Sequence, residues 1–583
     1  MNKRPLKTFS LICLLSVFCV PCSNGQDIDL ENIGGQVKEV LKKNPFKISG
    51  GLSASGIYYN SNLQNNREPF TYFLNGNVNI GIYNWAIPVS YTFTNQGSTL
   101  GYQLPYKFNR LSINPKYKWV QAHIGDVNMS FSPYIFSGMP FTGAGVELTP
   151  NIPLKVAVFG GQFSKAINDD EDPRTMPAFL RWGYGAQIRW EKQRYKLGIT
   201  GFYAKDNLNS LDSIPYSKQI FPQENMTFLF NANIMILKNL ELFGEYSRTG
   251  ITDDLTAIET QKSKDPMAWF LKENTSTQYY QAYNAGINYS FGIGQAGIRY
   301  ERIDPNYRTL GAYYFNSDFE NMTLNLNFNL LSGKLTFGGN IGRQRDNLKA
   351  DNEKQTERWV ASANLSWQIS ERLNIAGNYS NFTSFTNNRL NQFDKINQNP
   401  LETPQPLDSI TYRQISQNAS ANIQLVLSQN ESLSQNLLLN YSLSDMVNRE
   451  NDIVRKGGLS RFHNSSISHS IEFKKIKLKA TTSVNYTNSY AASQKMYIWG
   501  PSLNVTQTLL KDKMNLSLGG SYNRSTNPTA QTDVTNLRLG ANYSPWKRHS
   551  FNLSAVQMFK KSTQGNIPEQ RELNVQLGYA FSF

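Results

Sequence analysis

From Phe46 to Phe583 the chain alternates apolar and polar side chains with period two. In the stretch Asn321 to Leu330, Met322, Leu324, Leu326, Phe328 and Leu330 share one face, and Thr323, Asn325, Asn327 and Asn329 share the other. The same pattern recurs at Trp359, Ala361, Ala363, Leu365, Trp367 and Ile369, at Leu437 to Leu443, at Leu537 to Tyr543 and at Leu573 to Phe583. These segments run to about 10 to 14 residues, longer than the five or six of an ordinary soluble strand. A tilted strand crossing a bilayer needs about that length.

The links between strands carry a second pattern. Short ones centre on Asn84, Pro115, Asn151, Gln193, Lys238, Ile293, Ser332, Glu371, Asn430, Lys475, Asp512 and Lys547. Longer polar links alternate with them, among them Ser164 to Arg181, Ala204 to Glu224, Thr249 to Thr277 and Thr383 to Ser409. Outer-membrane barrels carry short periplasmic turns and long extracellular loops. On that parity the spacing predicts an all-β, closed antiparallel transmembrane β-barrel of about 26 strands with both ends in the periplasm, or about 24 if the weakly patterned pair Phe108 to Asp126 drops out. Inside hydrocarbon every backbone N–H and C=O needs an internal partner, so strands can span only as a closed sheet. Aromatics near strand ends, such as Trp367, Tyr379, Tyr441, Tyr543 and Phe559, are expected in interfacial girdles. The Asn/Ser/Thr/Gly faces are expected to line the lumen.

Composition fits this picture. Charged residues are 17% and aromatics 13%, with Tyr (31) and Phe (33) far above Trp (9), which excludes a disordered chain. No apolar run reaches the length of a membrane helix. The mean hydropathy of −0.47 is no obstacle, because only alternate residues of each strand would meet lipid. Cys13, Cys19 and Cys22, the only cysteines, lie in a segment with the three parts of a secretory signal peptide. Lys3, Arg4 and Lys7 are followed by the apolar run Phe9 to Val20 and by small residues Ser23 and Gly25, so cleavage is expected before Gln26. The domain plan is a signal peptide over 1–25, a periplasmic leader over 26–45 and a barrel over 46–583. Within the leader, Ile33, Val37, Val40 and Leu41 have the spacing of a short amphipathic helix. Loss of three cations takes the net charge from +15 to +12.

Candidate chemistry is sparse. A GxGxxG at Gly292, Gly294 and Gly297 lies between two alternating segments rather than inside a βαβ unit, so it reads as a tight turn. His123, His463, His469 and His549 show no metal-ligand spacing, and His469 is expected on the outward face near the extracellular end. The run Asp169, Asp170, Glu171 and Asp172 falls on an external link, where it could hold Ca²⁺ or stand as a solvated charge run. No catalytic, cofactor-binding or metal residues are nominated, and no enzyme is expected. Basic residues cluster beside the short links: Lys116, Lys118, Lys238, Lys334, Lys475, Lys511, Lys513, Lys547 and Arg548. They would ring the periplasmic rim, where anionic lipid headgroups lie. Charge spread around a rim rather than along a groove argues against a nucleic-acid partner.

The last strand adds a resemblance. Leu573 to Phe583 ends in a C-terminal Phe, and Gly578, Phe581 and Phe583 match the C-terminal assembly signal of Gram-negative outer-membrane β-barrel proteins. Gln576 stands where that pattern prefers an apolar residue. The Gln26 start and the Asn/Tyr-rich strands look similar to Bacteroidota members. The resemblance implies an outer-membrane address, with lipid, lipopolysaccharide and the barrel assembly machinery as partners. The leader is too short to plug so wide a lumen, so inward-folded loops or a separate plug or envelope protein should fill it. Two functions follow: a channel or transport conduit for hydrated solutes or larger polar substrates, or a non-conducting structural subunit of a larger outer-membrane complex.

Overall fold

The computed structural model describes residues 46–63, 67–96, 109–172, 175–312, 317–346, 348, 356–381, 412–450, 453–491, 494–563 and 568–583. The expected signal peptide, the expected leader helix and the Thr383 to Ser409 link lie outside these residues.

All described strands belong to one antiparallel sheet. The first strand, Phe46–Ser61, pairs with Phe70–Ile82 on one side and with the last strand, Gln570–Ser582, on the other, so the sheet closes. The barrel has 26 strands, as the alternation of links predicts. One of them is broken into Arg110–Ile113 and Lys116–Tyr117, which pair with the same two neighbours. The break falls at Asn114-Pro115, because Pro115 cannot donate to the ladder. This corrects the expected turn: the chain reverses at Lys118-Trp119, with Lys118 at φ 50°, rather than at Pro115. At Gly292-Ile293 the reversal is the expected two-residue turn, with Phe291 opposite Gly294.

Every link on the rim that carries Phe46 and Phe583 is five residues or fewer. The opposite rim carries the long links over the first two thirds of the barrel. Towards the C-terminus the strands themselves lengthen, to Tyr412–Gln429, Leu433–Glu450 and Ile453–Phe473, and a later link at this rim shrinks to a turn closed by Asn527 N donating to Ala530 O (2.9 Å). The long strands also relocate two residues. His469 sits near the short-turn rim, four residues from the end of its strand, and Tyr441 is mid-strand.

The two faces separate by chemistry as the alternation predicts. Outward side chains are apolar, with aromatics towards both ends: Trp182, Tyr184, Ala186, Ile188 and Trp190 face out along one strand, Arg181–Glu191. Trp182 and Trp190 are about 26 Å apart along that strand, which at barrel tilt spans most of a hydrocarbon core. The inner face is mostly Asn, Ser, Thr and Gly. One sector departs from that rule, and there the buried apolar cluster of the molecule lies.

Candidate functional site: a loop pair on the inner wall

The departure spans the strands from Val120–Val127 to Phe319–Leu330. Their inward positions towards the long-loop rim include Phe159, Phe163, Phe202, Ala204, Leu229, Ile251, Ala282, Ile303 and Phe319, all buried. Two links cover them. Residues 128–140 join Val120–Val127 to Phe141–Leu148, and residues 304–318 join Gly294–Ile303 to Phe319–Leu330. Residues 128–140 and the described stretch 304–312 fold onto the inner wall instead of standing in solvent. Apolar residues on these links explain why: Met129, Ile135, Phe136, Met139, Tyr307 and Leu310 would otherwise be exposed.

Phe136 is fully buried and sits 4.6 Å from Phe159, 5.5 Å from Phe202 and 5.7 Å from Phe163, ring centre to ring centre. The wall makes room for these rings with inward glycines. A Cβ on Gly185 would lie 2.3 Å from Phe159, and one on Gly183 would lie 2.5 Å from Phe163.

Hydrogen bonds fix the two links to each other and to the wall. The Tyr307 hydroxyl donates to Tyr134 O (2.5 Å) and is paired with Ser247 Oγ (2.7 Å). Thr309 Oγ1 lies 3.0 Å from Ile135 O and 3.0 Å from Asn225 Oδ1, and Leu310 N donates to that same Asn225 oxygen at 3.1 Å. Asn225 Nδ2 donates to Thr249 Oγ1 and Gly250 O, both at 2.8 Å, so this buried amide has partners at both ends. Ser137 N donates to Gly311 O (3.2 Å), and the backbones run so close that a Cβ on Gly311 would meet Ile135 O at 2.6 Å. The Tyr134 hydroxyl donates to Glu301 and accepts from Asn284 Nδ2 (3.0 Å). Burial, then the Glu301 charge, raises this hydroxyl above the ordinary tyrosine value, so it stays a donor at neutral pH.

Below the loop pair the inner wall turns polar. One row of paired inward positions reads Lys155, Arg189, Gly198, Asn231, Glu245, Asn284, Glu301, Asn321 and Gln344 across adjacent strands. Its charges are largely matched within the wall: Lys155 and Arg189 (3.3 Å) pair with Glu191, and Arg299 lies 3.5 Å from Glu301. His123 Nε2 lies 3.2 Å from Glu147. Between this row and the loop is a cavity of about 190 Å³, lined by Phe131, Glu147, Gln187, Arg189, Asn231 and Glu245 among others.

The residues singled out from the sequence lie elsewhere. Lys116, Lys118, Lys238, Lys334, Lys475, Lys511, Lys513, Lys547 and Arg548 all fall at or beside turns of the short-turn rim. Lys513 Nζ donates to Pro545 O across two of those turns (2.9 Å). Gly578, Phe581 and Phe583 sit at the closure seam, where Phe583 and Gly50 exchange both backbone hydrogen bonds (2.9 and 3.0 Å) and Phe581 stacks on Phe583 at 5.4 Å. The acidic run is on an external link, as expected. Lys218 Nζ occupies the place a cation would take, bonded to Asp169 Oδ1 (2.7 Å), Asp172 O (3.1 Å) and Thr175 O (3.0 Å).

An even-stranded, closed, antiparallel barrel with an outward apolar band and aromatic ends is the architecture of a transmembrane β-barrel. No family model matches the sequence, and no curated protein does. Among solved structures the chain is similar to the P pilus usher (PapC) translocation pore, at 10% identity and a TM-score of 0.36 over 92% of this chain and 99% of that one. It is similar to a mutant of the ferric enterobactin receptor (PfeA) from Pseudomonas aeruginosa, at 11% identity and 0.36, covering 92% and 80%. The copper transporter OprC gives 9% and 0.38, with the same coverage. None of these likenesses carries over a residue, a solute or a partner.

Proposed function

We propose that the chain is an outer-membrane channel or transport conduit for hydrated polar solutes, with its lumen narrowed by the loop pair 128–140 and 304–318. The observation that carries this reading is the burial of both links against the inner wall, on a barrel whose strand number alone would enclose a lumen wider than a 16- to 18-stranded porin's. A polar row directly below the constriction supplies hydrogen bonds to a hydrated solute. In this reading the short-turn rim faces the periplasm and its lysines meet anionic headgroups. Lipopolysaccharide surrounds the outer half, and the seam residues Gly578, Phe581 and Phe583 serve insertion by the barrel assembly machinery. The Bacteroidota-type origin and the cleaved signal peptide belong to the same reading. Swelling of liposomes carrying the purified protein, in neutral solutes of graded size, tests it. Uptake with a sharp size cut-off is expected. Impermeable liposomes, with envelope proteins that co-purify stably, would instead favour a structural subunit.

A further inference from the structure

We infer that the cavity under residues 130–132 is a binding site for a neutral polyhydroxylated solute, one sugar ring in size; this rests on the transport reading and names its substrate class. The cavity of about 190 Å³ has room for about six waters, which is the bulk of a single ring rather than of an ion. Its wall offers donors and acceptors together: the Arg189 guanidinium, the Gln187 and Asn231 amides, and the Glu147 and Glu245 carboxylates. A sugar hydroxyl both donates and accepts, so it can use such a mixed set in full. Phe131 adds an apolar ring to the same cavity, a surface for the C–H face of a sugar.

The charged side chains of the lining already hold polar neighbours. Arg189 is paired with Glu191 at 3.3 Å, and Glu147 lies 3.2 Å from the His123 ring. Glu245 lies within hydrogen-bond reach of Ser132 Oγ (3.3 Å) and Asn284 Nδ2 (3.4 Å). A charged solute would have to compete with these partners and shed its own hydration, whereas a polyol keeps them in place. Ser132 belongs to the loop, so occupancy of the cavity bears directly on the constriction.

Two readouts on the full chain separate this site from channel activity: saturation-transfer NMR with D-glucose in detergent, and D-glucose block of the current in planar bilayers. Saturable binding is expected, with partial block, and neither lysine nor glutamate should compete. Phe131→Ala is expected to weaken binding about tenfold. Glu245→Gln, isosteric with the native side chain, should weaken it less but measurably. A conducting protein that binds no glucose, or binds lysine or glutamate in its place, overturns the sugar site and leaves the transport reading intact. Glucose binding that Phe131→Ala and Glu245→Gln weaken, in a protein that passes no current, keeps the site and removes the transport reading.

Discussion

At the scale of single residues the loop pair depends on close backbone approach and on a few buried hydrogen bonds. Tyr307 is almost wholly buried, with its hydroxyl bonded to both a loop carbonyl and a wall hydroxyl. Tyr307→Phe keeps the ring and removes the hydroxyl's bonds to Tyr134 O and Ser247 Oγ, the latter keeping its bond to Phe228 O (3.2 Å), a cost of about 1 kcal/mol. The loss should appear as faster hydrogen exchange at 128–140 and 304–318, with the barrel strands unchanged. Gly311→Ala acts by volume: its methyl would meet Ile135 O, Phe136 and Phe202. Overpacking of about 1–3 kcal/mol should part the two links. Exchange at Ile135 and Phe136 measures that directly, and unchanged protection there would mean that the links do not hold each other.

At the scale of elements, strands were legible and inward links were not. Strict alternation in Asn321 to Leu330 and Thr356–Gln368 fixes both faces, because lipid and water impose opposite demands on neighbouring residues. That logic fails where protein covers the inner wall. Leu154–Ser164 carries Val156, Ala157, Val158 and Phe159 in succession, apolar on both faces. Such a run signals a strand buried on both sides, and the cover was written in Met129 to Phe141, too apolar for a solvated link. Links chosen by polarity therefore missed the pair that matters most. The break at Pro115 was misread as a turn because proline marks both. Gly578, Phe581 and Phe583 lie on the last strand and its end, and the rim lysines at turns, because strand parity fixes where turns and termini fall.

The external links that the sequence did identify make a pH prediction. Residues 165–180 are tied to 207–223 by Lys218, and that ammonium, hydrogen-bonded to Asp169, holds the Asp169 carboxyl below its ordinary value. The tie is therefore complete above the ordinary carboxylate range of about 4 and is lost as pH falls through the lowered value. Hydrogen exchange of 165–180 should be slow at neutral pH and quicken in acid. Asp169→Asn should be quick at both, and a native chain insensitive to acid would show that the ion pair does not set the loop's order.

At the scale of the whole molecule, a closed sheet of 26 strands solves the backbone problem of the membrane and creates a second one, a lumen too wide to leave open. The described residues answer it asymmetrically. Apolar links are packed against one sector of wall, and a polar row runs beneath them. Constriction by a fixed loop pair predicts a channel whose size depends on those links, a property that a scaffold barrel would lack. Single-channel recording in planar bilayers, native chain against Gly311→Ala, measures this most directly. The account predicts discrete small openings for the native chain and a clearly larger step for Gly311→Ala. Equal conductance in the two, or none in either, would contradict it.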